Sequence, residues 1–102
     1  MKHAPRDLSD ESKQIWRDTL REFDLLPLQY KILDAALHCW DRVLFFRTEI
    51  EEKGTIYVDR YAQPKERPEV TAERQYKTLF MRLVRELGLS VDTTDSRPPR
   101  LY

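Results

Sequence analysis

Apolar residues recur at helical spacing in three stretches of this chain, and proline or glycine marks the breaks between them. In the first stretch Ile15, Trp16, Leu20 and Phe23 fall three to four residues apart, which makes one stripe of a helix. Ser9 stands where a hydroxyl can cap the free N–H groups of the first turn. Asp10 and Glu11 follow where the helix dipole favours negative charge. The helix should end over Asp24 to Pro27, because the residue before a proline is pushed out of the helical region.

The second stretch predicts a long helix from Leu28 to Lys53 that stops at Gly54 in a left-handed conformation. At 1.5 Å per residue it would extend about 37 Å. Ile32, Ala36, Cys39, Val43, Phe46 and Ile50 form one stripe, and Leu33, Leu37, Trp40 and Leu44 flank it. A helix apolar around so much of its circumference must be covered on several sides. Two further helices of one small chain would cover it only in part, so self-association is expected. Pro68 suits the first turn of a third helix, where its missing N–H is no loss. That helix should run to Leu87 with Val70, Tyr76, Leu79, Phe80, Leu83, Val84 and Leu87 inward, and Gly88 should end it.

Between the second and third helices the pattern changes. Thr55, Ile56, Tyr57 and Val58 are strand formers, and Asp59-Arg60 can turn the chain before Tyr61. Pro64 and Pro68 forbid a continuous helix, so a short β-hairpin or an extended loop is expected there. The fold class is therefore mostly all-α: three helices, the second and third forming a long helical hairpin, with the short β element between them. Residues 1–8 are expected to be a mobile N-terminus, 9–89 a single helical domain, and 90–102, with Pro98-Pro99, a flexible tail.

Composition narrows the chemistry. The chain has 102 residues, two of them glycine, too few for the phosphate-cradling loops that need glycine at several fixed positions. One cysteine forms no internal disulfide and holds no metal alone, which points to a reducing compartment. No apolar run approaches the roughly 20 residues that cross a bilayer, so no membrane association is expected. His38 and Cys39 are neighbours and point about 100° apart on a helix, so they would not share a metal. Asp34 is one turn before His38, a spacing that suits a surface hydrogen bond. No catalytic residue, metal or cofactor is expected, and the chain reads as a non-enzyme.

Eighteen basic and eighteen acidic side chains cancel, but they are unevenly spread. From Arg60 to Arg85 seven cations (Arg60, Lys65, Arg67, Arg74, Lys77, Arg82, Arg85) face three anions (Glu66, Glu69, Glu73), a net charge of +4. An anionic partner would find its positive field there, though a solvated helix face with ordinary ion pairs would look the same. Tyr57 and Tyr61 beside these cations could touch nucleic acid or fasten the loop to a neighbouring subunit.

The order of these features resembles a known family. Leu8-Ser9 opens a helix carrying Trp16, Leu25-Leu26 precedes a long apolar helix ending at Gly54, and a basic loop leads to a helix that Pro68 starts. That helix closes in Glu86-Leu87-Gly88-Leu89-Ser90, with Arg97 beyond. The arrangement is similar to the small terminase subunits of tailed phages and prophages, in the family whose last helix ends in Glu-Leu-Gly-Leu-Thr-Pro. Val91 stands where that family has proline, and Arg67 where it has asparagine or histidine. The resemblance implies a non-catalytic packaging factor in the cytoplasm of a bacterial host. Such a factor assembles into a ring, binds double-stranded viral DNA at the packaging site and delivers it to the large terminase subunit. A helical oligomeric adaptor without direct DNA binding is the alternative. Under the packaging reading, Arg60, Lys65, Arg67, Lys77, Arg97 and Arg100 are the candidate phosphate contacts. Trp40, Phe45, Phe46, Leu79 and Phe80 are the candidate interface between subunits.

Overall fold

The computed structural model describes residues 2–89. Three helices and one two-stranded ribbon follow in the order α1 (Asp10–Glu22), α2 (Pro27–Lys53), β1 (Ile56–Val58), β2 (Pro64–Glu66) and α3 (Pro68–Leu87). Ser9 caps α1, its hydroxyl accepting from the Ser12 N–H at 3.2 Å. The second helix starts at Pro27, one residue earlier than its apolar pattern indicates, since proline at the first helical position costs no hydrogen bond. Its first turn is closed by Gln29, whose side-chain oxygen accepts from the Leu26 N–H at 2.8 Å.

Packing of α2 explains why its apolar surface is so broad. One side lies along α3 as an antiparallel hairpin, with Trp40 against Phe80 at 5.0 Å between ring centroids and Phe46 stacked on Tyr76 at 5.9 Å. An adjoining flank, through Leu33 and Leu37, closes a core with Leu8, Trp16 of α1 and Leu87 at the end of α3. The segment ahead of α1, expected to be mobile, contributes to that core. Leu8 is buried, Ala4 packs against the cluster, and the Lys2 carbonyl accepts from the Trp16 indole N–H.

Asp41 fastens α1 to α2. Its carboxylate accepts from the Ser9 N–H at 2.7 Å and from the hydroxyls of Ser9 and Ser12. Ser12 is completely buried, and Asp41 is the nearer of two acceptors for its hydroxyl, the other being the Leu37 carbonyl at 3.5 Å.

The two glycines end the two long helices differently. Gly54 has φ 85° and ψ −179°, an extended geometry open essentially to glycine alone, rather than the left-handed stop expected. Gly88 is left-handed (φ 69°, ψ 17°) and turns Leu89 back onto the core cluster. Gln29 reaches across to the same corner, donating to the Leu87 carbonyl at 3.0 Å. Leu87-Gly88-Leu89 is thus a helix stop with an apolar clip on each side. Gly88→Ala should cost about 1 kcal/mol through left-handed strain, since open space around the added methyl removes any clash. A lowered midpoint in urea unfolding with an unchanged slope would measure it.

Candidate nucleic-acid interface

Chain direction at the open end of the α2–α3 pair is reversed by the β ribbon, in which Ile56 pairs with Glu66, Tyr57 with Lys65 and Val58 with Pro64. Pro64 sits at the first position of its strand, where a missing N–H is tolerated. Directly opposed residues share a face and successive residues alternate, so the register sorts the side chains. One face carries Tyr57 and Lys65. Arg67 joins it through its N–H to the Thr55 carbonyl at 2.8 Å, with its guanidinium 5.9 Å from the Tyr57 ring. The other face carries Ile56, Val58, Pro64 and Glu66. All six strand residues are exposed.

A five-residue tip joins the strands, longer than the tight turn at Asp59-Arg60 that the strand formers indicated. The Asp59 carboxylate accepts from the N–H groups of Tyr61 at 2.8 Å and Gln63 at 3.0 Å, and Ala62 adopts φ 61°. Asp59 N–H donates to the Gln63 carbonyl and Ala62 N–H to the Asp59 carbonyl, both at 3.0 Å. An aspartate that bonds its own following backbone makes a defined turn without glycine. The tip therefore presents Arg60 and Tyr61 together, with the guanidinium 5.2 Å from the Tyr61 ring.

Of the six candidate phosphate contacts, three converge here: Arg60, Lys65 and Arg67. Arg67 is half-buried, and its Nε donates to the Lys53 carbonyl at 3.2 Å, which anchors the ribbon to the end of α2. Lys77 lies apart on α3, with its Nζ 3.9 Å from Glu73, whose Oε2 also accepts from Arg47 at 3.3 Å. Arg97 and Arg100 lie outside the described residues. The candidate interface residues divide as well. Trp40, Phe46 and Phe80 face one another or Tyr76 within a single protomer, whereas Phe45 and Leu79 are exposed.

A second concave feature is an open cleft of about 420 Å³ lined by Asp7, His38, Cys39, Asp41, Arg42, Phe45 and Tyr76. Asp7, His38 and Asp41 in its lining are already hydrogen-bonded within the protein. Asp41 holds the serines of α1, and burial pushes the Cys39 thiol above its usual range, so it stays protonated at neutral pH. His38 Nε2 is 2.9 Å from Asp7, its Nδ1 is 2.9 Å from the Asp34 carbonyl, and the Asp34 carboxylate lies 2.8 Å away. The spacing of Asp34 and His38 was visible in the sequence, but Asp7 was not. Among the described residues no group of three or more His, Cys, Asp or Glu side chains is placed to hold a metal ion.

Burial works to lower the His38 pKa, but the Asp34 carbonyl, the Asp7 hydrogen bond and both carboxylate charges outweigh it and raise it. The same hydrogen bond holds Asp7 below the usual carboxylate range. The imidazolium contribution to stability is complete below the ordinary histidine value and is lost as pH rises through the raised one. The Asp7 contribution is present above the ordinary carboxylate value and is lost as pH falls through the lowered one. His38 should therefore titrate above 6.5, and Asp7→Asn should bring the midpoint down. The pH dependence of its ring proton shifts reads both, and an unmoved midpoint in Asp7→Asn would place the cause elsewhere.

No protein-family model, curated protein or solved structure matches this chain.

Proposed function

We propose that this chain is a non-catalytic DNA-binding factor that works as an assembly of copies. In the role implied by its resemblance to small terminase subunits, it would recognise double-stranded viral DNA in the bacterial cytoplasm and hand it to the large packaging subunit. The observation that carries the DNA reading is the sorted β ribbon. Tyr57, Lys65 and Arg67 share one face, the single ribbon glutamate lies on the other, and Arg60 and Tyr61 are held at a tip built by Asp59. An exposed ribbon of this width fits a DNA groove, its cations reaching phosphates and its tyrosines offering flat apolar surface to sugars and bases.

A protomer supplies only three such cations, which is weak by itself. Repetition around an assembly multiplies the contacts and raises the effective concentration of each next one. Near-zero net charge is no obstacle to this, because the field that matters is local to the ribbon.

Fluorescence anisotropy with a labelled duplex of about 30 base pairs at several salt concentrations tests the reading. Binding should weaken steeply with salt, each phosphate contact adding about −0.9 to the log–log slope. Absence of binding at 50 mM salt and micromolar protein would leave the adaptor reading in its place.

A further inference from the structure

The face of the ribbon turned away from its cations remains without a role. Ile56 and Val58 are 51% and 66% exposed there, with Pro64 beside them and Glu66 as the face's single charge. A two-stranded ribbon is marginal on its own, and all six strand residues of this one are exposed. An apolar face on an exposed element is a docking surface in want of a counterpart.

The same chain carries a surface of matching chemistry. Helix α3 buries Tyr76, Phe80, Leu83 and Leu87 toward the rest of the protomer. At 100° per residue, Lys77, Met81 and Val84 line one flank of that stripe, with Arg74 and Arg85 at its outer edge. Met81 is 56% exposed, and Val84, expected from its spacing to face inward, is 41% exposed. Neither Arg74 nor Arg85 takes part in an ion pair among the described residues. An apolar strip bordered by cations thus complements an apolar face bordered by one carboxylate. From this complementarity we infer that Ile56 and Val58 of one copy dock on Met81 and Val84 of the next, with Glu66 against the cationic border.

The two surfaces differ, so the contact is head-to-tail. Such a contact closes into a ring when the rotation between copies allows it and grows into a filament otherwise. It also sets every ribbon with its apolar face on a neighbour and its Tyr57–Lys65–Arg67 face outward. The inference rests on the proposal that copies of this chain assemble, and it names the surfaces that do so.

A head-to-tail contact has a test that a symmetric one lacks. Val58→Lys places a cation against the cationic border, and Met81→Glu places an anion against Glu66. Both positions are exposed, so each variant should keep its helical circular dichroism. By native mass spectrometry at 50 µM, each variant alone should run as a monomer while the wild type runs as a larger species. An equimolar mixture should recover dimers or larger species. The unaltered ribbon of the Met81→Glu copy meets the unaltered α3 flank of the Val58→Lys copy, which restores one native junction per pair. A mixture that stays monomeric, or either variant alone at wild-type mass, overturns the inference while leaving assembly itself standing. A wild type that is monomeric at 50 µM overturns both the inference and the assembly part of the proposed function, and DNA binding is then read separately by anisotropy.

Discussion

Trp16→Ala is expected to lower the free energy of unfolding by about 3–5 kcal/mol, the range for removing a large buried aromatic side chain. Trp16 is 3% exposed and sits among Leu8, Leu33, Leu37 and Leu87, which come from the N-terminal segment, α2 and the end of α3. It is the one fully buried apolar residue that α1 gives to that core, with Ile15 and Leu20 packed beside it. The indole also donates to the Lys2 carbonyl at 3.3 Å and leans on Tyr30 at 5.9 Å, with Lys2 Nζ 4.9 Å above the Tyr30 ring. Truncation therefore loosens the N-terminal segment along with the core. Small domains are stable by only about 5–15 kcal/mol, so the variant would sit near the edge of folding at 37 °C. Urea unfolding followed by circular dichroism would show a large fall in midpoint. A loss below about 1 kcal/mol, the ordinary effect of a random substitution, would mean that the core does not depend on this ring.

Helix ends were legible in the sequence because their chemistry is local. The hydroxyl of Ser9, the fixed φ of Pro68 and the left-handed Gly88 each act within a few residues, and α1 begins, and α3 begins and ends, where those residues indicate. By contrast, α1 stops at Glu22, short of the expected break at Asp24 to Pro27. Gly54 marked a stop correctly but concealed its geometry, since glycine permits several conformations with positive φ and the chain's onward direction selects one. The turn in the ribbon was harder. Neither Gly nor Asn marks it, and the left-handed position falls to Ala62 because the Asp59 carboxylate and the strand ladder close the loop around it.

Contacts between distant parts of the chain left no local mark. Asp41 lies 29 and 32 residues from the serines it holds, and an aspartate amid an apolar helix is indistinguishable beforehand from a solvated one. The aromatic residues illustrate the same limit. Helical spacing shows that Trp40, Phe46 and Phe80 are to be covered, yet it is silent on whether the cover is the same chain or another copy. Contacts within the chain half-bury them, and the exposed large apolar residues among those described are Leu26 and Leu28 at the start of α2, Phe45, the ribbon and its tip, and Leu79, Met81 and Val84 on α3. For the candidate site, the sequence located the cations by their density and the tyrosines by their neighbours. Which of them share a face is a property of register, which a shift of one residue would reverse.

That register makes the second large effect specific. Lys65→Ala/Arg67→Ala removes two of the three cations on the ribbon and its tip, and leaves Ile56 and Val58 on the opposite face untouched. The DNA affinity of the double variant should fall, and native mass read alongside separates lost phosphate contacts from a ribbon loosened by the missing Arg67–Lys53 bond. Each lost phosphate contact takes about 0.9 from the log–log salt slope, so a protomer engaged through both residues loses about 1.8. Three engaged protomers would lose about 5. Lys77→Ala is the matched control. That cation is shared with Glu73 on a different element, and its removal should change the slope by less than one contact's worth. Equal losses in the two variants would mean that DNA senses only the diffuse charge of the region from Arg60 to Arg85. A double variant with an unchanged slope would remove the ribbon from the DNA interface altogether. A fall confined to the double variant, at constant mass, would tie binding to one face of a six-residue ribbon.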